Sequence, residues 1–165
     1  MTEYINSRNL PFSCKFNIKN RENFYVDCTS KDVAAIFAIL VFLALQCSDS
    51  KKPIVKLDLS KTEKHNFFYI TVSTKSSMTE EALQEYLLKG EVSNKMGLYF
   101  QTVKVLSSKH FWGLDVSKNG DYIEFSVSIF STQPKDVWFH DSLLLSASEA
   151  LDEFEKFFEL LLDIM

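Results

Sequence analysis

Apolar and polar residues change their period several times along this chain, and each change predicts an element. Phe12 to Ile18 (FSCKFNI) alternates at period two and predicts a strand. Asn20 to Asn23 reads as a turn, and Phe24 to Cys28 (FYVDC) as a second short strand. Val33 to Cys47 (VAAIFAILVFLALQC) then runs for 15 residues without a charge. A membrane-spanning helix needs about 20 such residues, and Asp32 and Asp49 close this run on both sides. It predicts a helix buried on every face, with Ser30 as its N-cap, Asp32 in its first turn and an end at Ser48 to Ser50.

After Pro53, Ile54 to Leu59 (IVKLDL) alternates again, and Phe67 to Ser73 (FFYITVS) follows a polar loop, which predicts a hairpin. Small polar residues fill Ser73 to Thr79. Glu80 to Lys89 predicts a helix capped by Thr79 and stopped by Gly90. Gly97 to Ser107 places Leu98, Val103, Val105 and Leu106 at helical spacing. Phe111 to Val116 and Tyr122 to Phe130 are alternating strands joined through Asn119-Gly120, a strong hairpin signal. Beyond Gln133-Pro134 lies a short apolar run, Leu143 to Leu145. The pair Ser146 and Glu149 has capping-box spacing and opens an amphipathic helix over Ala147 to Met165.

The sum is β-β-α-β-β-α-α-β-β followed by a C-terminal helix. Hairpins with helices laid on one face predict an α+β, two-layer sandwich with an antiparallel or mixed sheet. A length of 165 residues suits a single domain over 1–165, with a core over 12–130 and an additional segment over 131–165.

Composition narrows the function. Hydrophobic residues make up 46% and charged residues 24%, which is ordinary for a globular chain able to bury a core. The net charge is −4 and no basic stripe is present, which argues against nucleic acid as a partner. There are only four glycines, too few for the close backbone approach that phosphate cradles use. The three cysteines (Cys14, Cys28, Cys47) form no CxxC pair and predict reduced thiols and a cytoplasmic setting. The first ten residues are polar and mixed, unlike a signal peptide. No metal-ligand spacing is present, and no cofactor is expected.

Four runs carry a further signal: Ile39 to Ser48 (ILVFLALQCS), Ser73 to Glu81 (STKSSMTEE), Ser93 to Leu98 (SNKMGL) and Gly97 to Ile129. In this order and spacing they resemble the boxes of the ATP-binding domain of histidine kinases, a fold shared with gyrase ATPases and anti-sigma-factor kinases (the GHKL group). His110, Gly113, Val116, Gly120 and Phe125 fall where that pattern expects them. The resemblance implies a nucleotide site whose polar positions are replaced. The two family asparagines fall on Ile39 and Leu43, and the second would hold Mg²⁺ through a side-chain oxygen that leucine lacks. The adenine-binding aspartate falls on Ser73, or on Thr74 with a slip of one residue. The glycines after it fall on Lys75 and Ser77. In the phosphate-wrapping box Lys95 replaces a glycine and Gly97 is kept. The expectation is a pseudo-ATPase that is not an enzyme.

Three histidines remain as candidate chemistry. His65 lies in a polar loop. His110 sits at a predicted helix end, where a cation complements the dipole. His140 is followed by Asp141, as phosphoacceptor histidines often are, but the capping box leaves the pair in a loop ahead of the helix. The final helix carries Phe154, Phe157, Phe158 and Leu161. With Trp138 and Phe139 they form a candidate partner or dimer surface, the other reading being packing on the body of the domain.

The function expected from this is protein–protein interaction in bacterial signalling, with a response regulator or a sigma factor as partner. The alternative is a dimeric chaperone of the type III secretion kind that binds an effector. The segment Phe12 to Cys28 divides the two readings: strands paired into the main sheet go with the kinase-like fold, and an unpaired arm goes with the chaperone. An ATPase with rewired boxes is the third reading.

Overall fold

A computed structural model of the protein describes residues 12–18, 28–61, 67–88 and 95–130, together with Lys156 and Glu159. Five strands and three helices occupy the main body. They are β1 (Ser13–Ile18), α1 (Ser30–Cys47), β2 (Ile54–Lys61), β3 (Phe67–Lys75), α2 (Glu80–Leu88), α3 (Lys95–Lys109), β4 (Gly113–Asn119) and β5 (Tyr122–Phe130). Lys156 and Glu159 are helical, inside the helix expected over 147–165.

The strands form one sheet in the order β1-β2-β3-β5-β4. β1 joins β2 in parallel, and every other pairing is antiparallel. The mixed sheet is the expected one, and the pairing of β1 into its edge goes with the kinase-like reading rather than the chaperone. Of the second strand expected, 24–27 lies outside the described residues, and Cys28 is in a bend.

Alternation decides which face of the sheet is dry. Phe68, Ile70, Val72 and Thr74 of β3 and Ile123, Phe125, Val127 and Ile129 of β5 are all buried on the helix side. Val55 and Leu57 of β2 join them. The opposite face carries Tyr69, Thr71, Ser126 and Ser128, and the hydroxyls of Thr71 and Ser126 meet across the ladder at 2.9 Å.

α1 lies on the dry face. Its apolar run has no polar side to turn outward, so it must be covered twice. The sheet covers one side, and α3 the other, where Phe42 meets Tyr99 edge to face at 4.9 Å between centroids. Ala38, Leu40, Val41, Leu43 and Ala44 have no exposed surface. The cap lies one residue earlier than expected: Thr29 rather than Ser30 is the N-cap, and its hydroxyl accepts from the Asp32 N–H at 3.1 Å.

Two turns differ from the sequence expectation for physical reasons. β4 begins at Gly113 rather than Phe111, because the chain first closes the end of α3. The Trp112 N–H donates to the Ser107 carbonyl at 2.9 Å, and Phe111 takes a left-handed φ of 56°. This is the hydrogen-bond pattern of a Schellman cap, a place usually given to glycine. Gly113 follows because a Cβ there would run into the Ser128 hydroxyl. At the other end, β4 continues to Asn119, so the hairpin loop is Gly120-Asp121, with glycine's φ of 59° at its first position.

Phe111 is 94% exposed, so its ring gains little from burial to offset a left-handed backbone costing about 1–2 kcal/mol. Phe111→Gly is expected to stabilise the protein by about 1 kcal/mol, less than the full strain because glycine loses more entropy on folding. A urea melt would show it as a raised midpoint at unchanged slope.

Candidate functional site

The positions that resemble nucleotide boxes come together around the C-terminal half of α1, the end of β3 and the start of α3. Ile39 and Leu43 of α1 lie in the core, at 5% and 0% exposure. Ser73 and Thr74, the two candidates, face opposite sides of the sheet. Ser73 stands on the polar face of the sheet, while Thr74 points into the helix layer in line with Val72, and is fully buried. The Thr74 hydroxyl has no hydrogen-bond partner.

The loop after β3 is held from inside the protein. Lys75 is exposed and pairs with Asp121 of the β4–β5 turn at 3.0 Å. The Ser76 N–H donates to the Asp121 carbonyl at 2.9 Å, the Ser77 N–H to the Asp49 carboxylate just beyond α1, and the Met78 N–H to the Ser76 hydroxyl at 3.2 Å. Lys118 of β4 donates its ammonium to the Met78 carbonyl and, at 3.4 Å, to that of Ser76. All three consecutive N–H groups therefore already have acceptors. A phosphate or a base edge would have to displace them. Gly97 lies buried in the first turn of α3. Lys95 begins α3, but its side chain is outside the described residues, as are His65, Trp138, Phe139, His140, Phe154, Phe157, Phe158 and Leu161.

Two features were not legible in the sequence. The first is an ion cluster that ties the start of α1 to the end of α3. The Asp32 Oδ2 atom accepts from Lys109 Nζ and from His110 Nε2, each at 2.7 Å. Nε2 thus carries the proton of this bond. Trp112 lies against the imidazole, 5.1 Å between ring centroids. Burial works to raise the Asp32 carboxyl, but the hydrogen bonds from Lys109 and His110 outweigh it and hold the group below its ordinary value of 3.8. His110 thus acts on the dipole of α1 through a carboxylate, besides sitting at the end of α3. Asp32 and His110 are 78 residues apart, and no local pattern could have joined them.

The second is a groove of about 270 Å³ between α2, α3 and β4, lined by Leu83, Gln84, Leu87, Phe100, Lys104, Leu114 and Val116. It shares no residue with the replaced positions Ile39, Leu43, Ser73, Thr74, Lys75, Ser77 and Lys95, though Val116 belongs to the matching run. Among the described residues no group of His, Cys, Asp and Glu could hold a metal ion. Cys47 is a free thiol. Burial, helped by Asp49, pushes the Cys47 thiol up to about 12, which leaves it unreactive at neutral pH. No helix among the described residues is long and apolar enough to cross a membrane.

No family model matches the sequence, and no curated protein matches it. Solved structures do. The nucleotide-free catalytic domain of histidine kinase ThkA superposes with a TM-score of 0.59 at 18% identity, covering 79% of this chain and 84% of that one. The mycobacterial sensor histidine kinase MprB gives 0.60 at 13% identity, covering 78% of this chain and 88% of that one. This chain has the fold of a histidine-kinase catalytic domain. Full-length ShkA, solved in complex with AMPPNP, matches at 0.60 and 12% identity over 81% of this chain and 28% of its own. At these identities the kinase-like domain shares a backbone arrangement, and its site has to be judged on its own residues.

Two outcomes are expected. Thr74→Val removes a buried hydroxyl without a partner and keeps the shape, so stability should be unchanged or raised by up to about 1 kcal/mol, read by thermal or urea melts. Asp32→Asn should cost about 1–2 kcal/mol at pH 7, Lys109's share being discounted for its 58% exposure. The folded carboxyl titrates below 3.8, so its contribution is present above that pH and fades as the pH falls through the lowered value. Urea melts at pH 7 and pH 3 should show the gap between the two proteins shrinking at the acid end.

Proposed function

We propose that this kinase-like domain is a non-catalytic module that acts by binding another protein in bacterial signalling, a response regulator or a sigma factor, and that it neither binds nor hydrolyses ATP. The observation that carries this reading is the loop Lys75 to Met78. Its N–H groups are satisfied by Asp121, Asp49 and Ser76, and Lys118 occupies its carbonyls. Beside it, Ile39 and Leu43 supply hydrocarbon to the core where a metal would need an oxygen ligand.

The reading assigns the retained fold to surface recognition. The segment from Ser73 to Met96, which in an ATPase of this fold would close over nucleotide, then serves as a contact surface. Its described part presents Glu80, Glu81 and Gln84 outward from α2. A cytoplasmic setting follows from partners of this kind.

Calorimetric titration of the full chain with ATP and Mg²⁺ tests the first half. No binding is expected up to about 1 mM, the limit at which the free energy falls to roughly 4 kcal/mol. A micromolar dissociation constant would sink the pseudo-ATPase reading. Affinity capture from the native host, followed by mass spectrometry, tests the second half. Recovery of a receiver domain or sigma factor supports it, and recovery of a secreted effector points to the chaperone reading instead.

A further inference from the structure

We propose that the outer edge of β4 and the groove beside it form a docking site for a segment of a partner protein. The segment binds as an added β-strand, with apolar side chains at alternate positions and a carboxylate beside them. This names a surface and a peptide class for the protein-binding reading and rests on that reading; it does not depend on whether the domain binds nucleotide.

β4 is the last strand of the sheet order, and among the described residues it pairs only with β5. Its hairpin decides which backbone groups face outward. Asn119 and Tyr122 flank the two-residue turn and form its hydrogen-bonded pair. Such pairs alternate with non-bonded ones along an antiparallel ladder, so Ser117, Asp115 and Gly113 also direct their N–H and C=O groups to β5. Leu114, Val116 and Lys118 direct theirs away from it. A row of this kind is a template for another strand. Proline and edge lysines are the usual guards against such pairing. β4 contains no proline, and its single lysine, Lys118, is folded back onto the carbonyls of Met78 and Ser76.

The residues that turn backbone outward also line the groove. Leu114 and Val116 form its wall on the sheet side, with Leu83 and Leu87 of α2 and Phe100 of α3 across from them. A strand laid against β4 places the residues opposite Leu114 and Val116 on the face those two share, which is the helix side. Two apolar side chains at positions i and i+2 then enter the groove. The residue between them stands on the outer face, beside the exposed Asp115. At about 270 Å³ the groove is just below the usual size of a ligand pocket, which suits a pair of side chains better than a whole helix.

Charge selects the occupant. Lys104 lines the groove, is exposed, and has no hydrogen-bond or ion-pair partner among the described residues. Gln84, the other polar residue of the lining, is held by Glu80 of its own helix at 3.5 Å. A carboxylate on the incoming strand supplies the partner that Lys104 lacks. A second copy pairing through its own β4 would bring Leu114, Val116 and Lys118 to this side, and with them another cation instead of an anion.

The probe is a phage library of random peptides about ten residues long, selected on the immobilised full chain. Selected sequences should carry apolar residues two apart with Asp or Glu beside them. The best of them, made synthetically, should lose at least about tenfold in affinity when one alternate set of its amides is N-methylated, and little when the other set is, because only one set faces β4. Val116→Pro removes an N–H that the β5 ladder does not use and should weaken binding by a similar factor, with unchanged hydrogen exchange in β5 as the check on folding. Lys104→Glu, at an exposed position, should weaken binding about fivefold, less at high salt, and a peptide with its acid replaced by lysine should recover it. No alternating pattern in the selected peptides, equal loss from both methylation sets, or unchanged binding by Lys104→Glu would overturn the proposal. So would light scattering at twice the chain mass that returns to one in Val116→Pro, since a second copy would then hold the edge. If Val116→Pro captures the host partner as well as the parent does, this surface falls while the protein-binding reading stands.

Discussion

Everything in this domain is arranged around a helix that has no side fit for water. α1 is apolar around its whole circumference, so neither the sheet nor α3 alone can satisfy it. The sheet must offer an unbroken apolar face, which the alternation of β2, β3 and β5 supplies. α3 must then close over the far side. That double cover also encloses Ile39 and Leu43. A position enclosed from both directions takes an amide only if a partner is built for it, whereas a leucine needs nothing more than space.

Polar interactions do a different task. They fix the connections between layers that hydrophobic contact leaves free to slide. The Asp32 carboxylate joins the first turn of α1 to the last turn of α3. The carboxylate of Asp49, the ammonium of Lys118 and the carbonyl of Asp121 gather the loop after β3 against the β4–β5 hairpin. Such a loop resembles a staple more than a lid. The protein itself supplies partners for the backbone groups of this segment.

The elements themselves were legible because each is driven by a strong local period. β5 fits its alternating run at both ends, and the apolar run of α1 fits its helix to within a residue of its cap. Boundaries moved where a backbone bond outranked the pattern. Phe111 alternates correctly for a strand, yet it serves to terminate α3, and the strand waits until Gly113. Order and spacing pick out Ser73 and Thr74 together, and only the pleat of the sheet shows that they face opposite sides. The ion cluster and the groove were invisible in the sequence because they depend on residues far apart in the chain. Lys104 looks like any surface lysine until α2 and β4 are set beside it.

A helix made almost wholly of hydrocarbon has a consequence for how the protein is made. α1 is complete at Cys47, but the partners that cover it finish only with β5 at Phe130. Roughly eighty residues must be added in between, which at 5–20 residues per second takes about 4–16 s. Through that interval the cover of α1 is incomplete, β2 and β3 being finished by Lys75 and the outer helix by Lys109. A slower synthesis of the stretch between β2 and β5 would lengthen the exposure of that apolar helix.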